Sequence, residues 1–361
     1  METAAEHGID LVVNLTPGVS EPIVRAYPAV AVRNMEGDRS PHWMCPSNPD
    51  VRNYFYGRAL DILAHQRSVR EIELDVVSID FYDPQVVPEW VTPELSPLKE
   101  LAAGSCFCDH CQKKATEAGL DIPRVIAQIK DVGRQANDLS YENFKGVADA
   151  YRGVFDIVRL ILRHAELVRW LDFRGTLVDD FVRGIRGAIQ RTGRDVLVTS
   201  DFCSPSFSWK LGQIYANQPS VTDAIKLMLY HRRIGSFEVK PLRNISRAIP
   251  LAKESEILDQ YYRLKGFSGP GTFEEFAARG IDVENVYYEV KKAKRETNRE
   301  YPIIAGLVGD PPATAKDVRE AVEAAFRGGA DGYMLHQWYH GTPKENVEAF
   351  GEKLKELGVI R

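Results

Sequence analysis

With 361 residues, 44% of them hydrophobic and 27% charged, the chain has the make-up of an ordinary globular protein, long enough for one large domain or two smaller ones. Its formal net charge of −5 provides no electrostatic footprint for nucleic acid or an anionic membrane. No apolar run approaches the roughly 18 residues that a bilayer crossing needs, and the first residues lack the basic and apolar regions of a secretory signal, so a cytoplasmic protein is expected.

In chain order, residues 2–7 read as a short helix leading into an apolar strand at 11–15. Residues 29–33 suit either an additional strand or a hairpin beside the main sheet. Asn48-Pro49-Asp50 caps a helix that runs to about His65, and 71–77 alternates as a strand. Residues 81–170 are too long for a simple connection and read as a helical insertion that carries a cysteine cluster. A long helix at about 170–191 precedes strands at 195–200 and 223–230. The run 302–309 has the continuous apolar character of a buried parallel strand. The next helix opens with a Thr314/Asp317 capping box, buries Val318, Val322, Ala325 and Phe326, and stops at Gly328-Gly329. A strand at 331–336 follows. The last helix is expected to start with Thr342 as its cap, Pro343 at the first helical position and Glu345 completing a capping box. Its apolar stripe would be Val347, Phe350, Leu354 and Leu357. Lys291-Lys-Ala-Lys-Arg295 falls in a helical stretch and reads as its solvated face.

Repeated strand–helix alternation implies a parallel sheet. No Gly-x-Gly-x-x-Gly follows any strand, which argues against a dinucleotide-binding fold. The reading is an α/β protein, a (β/α)8 TIM-type barrel forming one domain over residues 1–361. Only six strong strands are visible, so the barrel is expected to be incomplete at its amino-terminal side unless weak elements or a second copy of the chain close it.

The cysteines carry the most specific signal. Cys106, Cys108 and Cys111 form a C-x-C-x-x-C cluster, and Cys45 lies well upstream in Cys45-Pro-Ser-Asn-Pro49. A tight triad plus one remote thiol can supply the four ligands of a tetrahedral structural zinc site. His110 could replace one thiolate. The fifth cysteine, Cys203, lies on a different loop. With no export signal, thiolate ligands in a reducing compartment are a better reading than disulfides.

This order of a Cys-Pro-x-x-Pro segment opening a helix, a strand, and then a Cys-x-Cys-x-x-Cys loop resembles glycoside hydrolase family 42 β-galactosidases and related glycoside hydrolases of unassigned activity. The resemblance covers roughly residues 42–115. It implies a barrel hydrolase acting on a carbohydrate, with Cys45, Cys106, Cys108 and Cys111 as zinc ligands. The pattern departs from those β-galactosidases in two places. Where they carry an Asn-Glu pair at the end of the fourth strand, this chain has Asp75-Val-Val77. Where their nucleophilic Glu ends the seventh strand, residues 303–309 contain no Glu. The unassigned relatives tend to have Asp at the first of these positions.

Glycoside hydrolysis needs one protonated and one ionised carboxyl group. In strand 71–77 alternate side chains share a face, so Glu73, Asp75 and Val77 point into the barrel while Ile72, Leu74 and Val76 face the helices. Asp75, near the barrel mouth, is the candidate nucleophile or charge stabiliser, and Glu73, one layer deeper, a hydrogen-bonding partner. Asp201, following strand 195–200, is the candidate proton donor. Asp80, Asp83 and Asp310 are weaker candidates of the turn type. Tyr230 and His231 end one strand, and Gln337 and Trp338 end another; aromatic and hydrogen-bonding groups there suit a sugar. Lys226 would balance Glu73 or Asp75. Two other functions fit the same residues: an inactive sugar-binding protein on a hydrolase scaffold, or a barrel lyase or isomerase using Lys226 and His231.

Overall fold

The computed structural model describes residues 6–75, 77–78, 105–136, 140–150, 153–336 and 341–360. The expected helix at 2–7 lies largely outside these residues. The strands are β1 (Leu11–Leu15), β2 (Ala31–Arg33), β3 (Arg39–Met44), β4 (Val69–Leu74), β5 (Leu197–Cys203), β6 (Ala224–Leu229), β7 (Ile303–Val308) and β8 (Gly332–His336). Six of them form one sheet in the order β1-β4-β5-β6-β7-β8, every neighbouring pair parallel. This curled half-barrel is a TIM-like barrel with six strand positions filled. The remaining two, β2 and β3, pair antiparallel as a separate hairpin, so residues 29–33 belong beside the sheet.

Burial explains the order. Ile72, Leu74, Val198, Ile225, Leu227, Leu229, Ile303, Ala305 and Leu307 are all buried, as a parallel sheet covered by helices requires. The edges are weaker: Val12 of β1 is exposed, and β8 is half-buried along its whole length. Asn48 caps the Pro49–His65 helix by accepting from the Asp50 and Val51 amides. Four helices within 81–170, Asp109–Glu117, Ile122–Ala136, Tyr141–Ala150 and Val154–Arg163, lead to the long Ala165–Gln190 helix before β5.

Several details differ from the sequence reading. β5 extends through Asp201 to Cys203, so Asp201 lies within the strand. The expected box at the last helix is not made. Thr342 instead donates its hydroxyl to Asp310, the cap position falls to Pro343, and the helix is Lys344–Glu356. Phe326 and Val347 are exposed, because the buried stripes of their helices are narrower than the apolar pattern suggests. The Thr314/Asp317 capping box is present.

The long helix is the main support on the β5 side. Trp170 is fully buried and stacks on Phe107 at 4.7 Å and 14°. Its neighbour one turn on, Arg174, is also fully buried; Nη1 donates to Ser105 Oγ at 3.1 Å, and Nη2 donates to the Lys210 carbonyl. Loss of such a ring leaves a cavity costing about 3–5 kcal/mol. Trp170→Ala is therefore expected to lower unfolding free energy by that amount in urea titration, with a change under about 1 kcal/mol contradicting the packing described.

Candidate active site

β4, β5 and β6 lie side by side and carry the charged cluster. Glu73 stands opposite Thr199, so Asp75 stands level with Asp201, which is itself opposite Lys226. Lys226 is buried with its ammonium between two carboxylates, 2.9 Å from Glu71 Oε1 and in direct contact with Glu73 Oε2. Thr199 Oγ1 donates to Glu71 Oε1 at 2.6 Å, and Asn14 Nδ2 donates to Glu73 Oε1 at 3.1 Å. Burial would favour a neutral amine, but these partners hold the Lys226 pKa above its ordinary value. A lysine paired with two carboxylates and shifted towards its charged form suits a structural cation better than an amine nucleophile.

Asp201 is in the opposite state. Burial, the Glu73 and Asp75 charges and a hydrogen bond to Glu73 push its pKa up to about 9. This direction favours the protonated form of Asp201 at neutral pH. Its Oδ1 is buried and has no partner among the described residues. The backbone around it is held by Gln213, whose Nε2 donates to the Asp201 carbonyl at 3.2 Å and to the Val77 carbonyl at 3.4 Å while Oε1 accepts from the Cys203 amide at 2.9 Å. Asp75 is half-buried and accepts from Thr16 Oγ1 at 3.3 Å. Burial raises its pKa, with the Thr16 bond opposing.

The other expected residues separate. Tyr230 lies beside this cluster: burial and the charges of Asp201 and Asp75 raise its phenol, and its ring is 4.9 Å from that of His336. His231 is buried, its ring nitrogens have no partner among the described residues, and burial lowers its pKa to about 4. Asp310 is buried near Arg233, at 4.0 Å, and Thr342. Gln337, Trp338, Asp80, Asp83 and Val76 lie outside the described residues. Sequence reasoning missed Glu71, Asn14, Thr16 and Gln213. The first was legible from strand periodicity; the others have no local signal.

The four cysteines come together away from this cluster. Cys45 follows β3, Cys108 caps the Asp109–Glu117 helix and Cys111 lies in its first turn. Their sulfurs all lie within 4.8 Å of one another, and Cys45 Sγ is 3.5 Å from both Cys108 and Cys111. These separations exceed a disulfide's S–S bond of about 2.05 Å. They match the roughly 3.8 Å between ligands of a tetrahedral site with metal–sulfur bonds of about 2.3 Å. The donor set fits a closed structural metal. His110 is exposed, and Cys203 is on β5, so neither belongs to the set. The hairpin is tied to the same loop, with Phe107 N donating to the Arg33 carbonyl at 2.5 Å and Cys45 N to the Val30 carbonyl at 2.8 Å.

The fold is shared with solved glycoside hydrolases. The β-galactosidase of the psychrophilic Marinomonas ef1 superposes with a TM-score of 0.54 at 10% identity over 99% of this chain and 52% of that one. The β-galactosidase of Bacillus circulans sp. alkalophilus gives 0.51 at 13% identity, over 99% of this chain and 47% of that one. The chain therefore spans about half the length of these enzymes. No protein-family model matches the chain, and no curated protein does. Among the described residues no helix is long and apolar enough to cross a membrane.

The protonation of Asp201 has a stability signature. Its folded pKa, about 9, lies above the ordinary carboxylate value of 3.8, so the native state binds the extra proton between these values. The stabilisation is complete below about pH 4 and is lost as pH rises towards 9. Asp201→Asn keeps the shape and has no proton to lose. Its melting temperature relative to the unsubstituted protein is expected to rise steadily from pH 5 to pH 9; a pH-independent difference would contradict the assignment.

Proposed function

We propose that the chain is a glycoside hydrolase acting on a small glycoside or oligosaccharide, with Asp201 as proton donor and Asp75 as nucleophile or charge stabiliser. The observation that carries this reading is the placement of two carboxyl groups level with one another on adjoining strands, in unequal surroundings. Asp201 is buried, and burial with the neighbouring carboxyl charges pushes its pKa up to about 9; Asp75 is half-buried, and the Thr16 hydroxyl opposes the upward push of its burial. The fold shared with glycoside hydrolases supports it.

In this mechanism Asp201 gives its proton to the glycosidic oxygen as the bond to the anomeric carbon breaks and the alcohol departs. The Asp75 carboxylate attacks that carbon or faces its developing positive charge. Water then adds to the carbon, breaking its bond to Asp75 where one has formed and releasing the carboxylate, while the water's proton returns to the Asp201 carboxylate. Tyr230, His336 and the strand-end residues Gln337 and Trp338 would contact the sugar. The lyase reading has nothing in its favour here, because Lys226 is held charged.

Cys45, Cys106, Cys108 and Cys111 would hold a structural zinc ion. Four thiolates leave no open position for substrate, and they suit a reducing, cytoplasmic setting. Metal analysis of the purified, reduced chain is expected to find one zinc per chain, and Cys45→Ser is expected to abolish it. An empty site in the unsubstituted protein would remove the metal from the proposal.

Kinetics on a panel of 4-nitrophenyl glycosides test the catalytic roles. Asp75→Asn is expected to fold normally and to lower kcat by about 10³-fold or more. The profile of kcat/KM against pH should be bell-shaped, its alkaline limb near 9 set by Asp201 and lost in Asp201→Asn. Full turnover by Asp75→Asn would end the assignment. Sugar binding without turnover in the unsubstituted protein would select the binding-protein reading instead.

A further inference from the structure

One layer beyond Asp201 and Lys226, towards the carboxyl end of the sheet, Cys203 of β5 stands opposite Met228 of β6. Residues two apart on a strand share a face and are separated by about 6.6 Å. Cys203 and Met228 therefore form the next step on the carboxyl-group side. Both line a pocket of about 180 Å³. Phe207, Phe237, Phe267 and Ile234 give it a largely aromatic and aliphatic wall. Tyr230 belongs to the pocket and is also within electrostatic reach of Asp201 and Asp75, which links the two spaces.

Three polar side chains of the wall are engaged elsewhere, whereas His231 is buried there with neither ring nitrogen partnered among the described residues. Asn285 Nδ2 donates to the Ser268 and Asp282 carbonyls at 3.0 and 2.7 Å. The Glu289 carboxylate accepts from Ser206 Oγ at 2.6 Å, Ser206 N at 3.0 Å and Lys292 Nζ at 2.6 Å. Glu238 is 3.9 Å from Lys265 Nζ. A pyranose ring, with a hydroxyl on most carbons, would find the His231 imidazole as a partner but would lose most of its other water hydrogen bonds against the aromatic and aliphatic wall. An apolar ring loses nothing. Size agrees, since an apolar cavity of about 150 Å³ admits benzene; this pocket takes one ring with a short attachment.

We propose that this pocket seats the apolar leaving group of the substrate, an aromatic group one ring in size, while the sugar lies against Asp75 and Asp201. The inference rests on the hydrolytic reading above and narrows its substrate class to glycosides of aromatic or arylmethyl alcohols. Protonation by Asp201 would then occur at the oxygen joining the two spaces.

Two measurements on the full chain test it. In the first, phenol is titrated and followed by calorimetry. The unsubstituted protein is expected to bind it. Ile234→Trp, which fills the pocket, should weaken binding at least tenfold. Phe237→Ala, which removes an exposed ring with little risk to folding, should weaken it severalfold. In the second, benzyl and methyl glycosides of one sugar are compared, because their leaving alcohols differ little in acidity. The benzyl compound should have at least tenfold higher kcat/KM, and Ile234→Trp should remove that advantage. Failure of phenol to bind, or equal binding by all three proteins, overturns the ring site. Equal kcat/KM for the two glycosides overturns its role as a leaving-group site. Phenol binding without cleavage of any glycoside supports the ring site and removes only the hydrolytic reading, so the two failures are distinguishable.

Discussion

The Lys226 ammonium makes the rest of the site physically possible. Four carboxyl groups, Glu71, Glu73, Asp75 and Asp201, converge from two neighbouring strands beside the lysine's own, inside a sheet whose other face is covered by apolar side chains. Unpaired ionised carboxylates in such a place would be prohibitively costly. One cation contacts two of them directly, Asn14 of β1 and Thr16 just beyond it serve Glu73 and Asp75, and burial together with the neighbouring carboxyl charges pushes the Asp201 pKa up. Replacing the lysine would redistribute protons across the whole group, as expected for coupled titration.

The parts of the fold legible in the sequence were those with strong periodicity or caps. The six parallel strands, the Asn48 cap and the Thr314/Asp317 box all follow from local rules and are present. The boundaries were less legible. Asp201 reads as a residue following its strand because Pro205 and the serines beyond it mark a turn, yet pairing with β6 carries β5 on to Cys203. Thr342 has every local credential of a helix cap, but a stronger acceptor, Asp310, lies close in space and far in sequence. The carboxyl cluster shows the same division. Glu73, Asp75 and Lys226 follow from alternation along their own strands. Asn14 and Thr16 come from a strand many residues away and carry no mark in the sequence until β1 pairs with β4.

One side chain links the cysteine loop to the connection after β5. Arg174 is fully buried in the long helix, with one end on Ser105, next to Cys106, and the other on the Lys210 carbonyl in the connection after β5. Phe107 within the cysteine loop stacks on the same helix. The loop therefore does more than close on itself. It anchors the helix that leads into β5, and with it the strand that presents Asp201.

Gln213 gives this arrangement an adjustable dimension. Its amide bridges the main chain of two neighbouring strand ends, at Val77 and at Asp201 and Cys203, without touching either acidic side chain. The spacing of the strand ends that carry Asp75 and Asp201 is thus set in part by the reach of a neutral linker. A homologue with a shorter or longer residue here would hold those ends at a different spacing while leaving every acidic group in place.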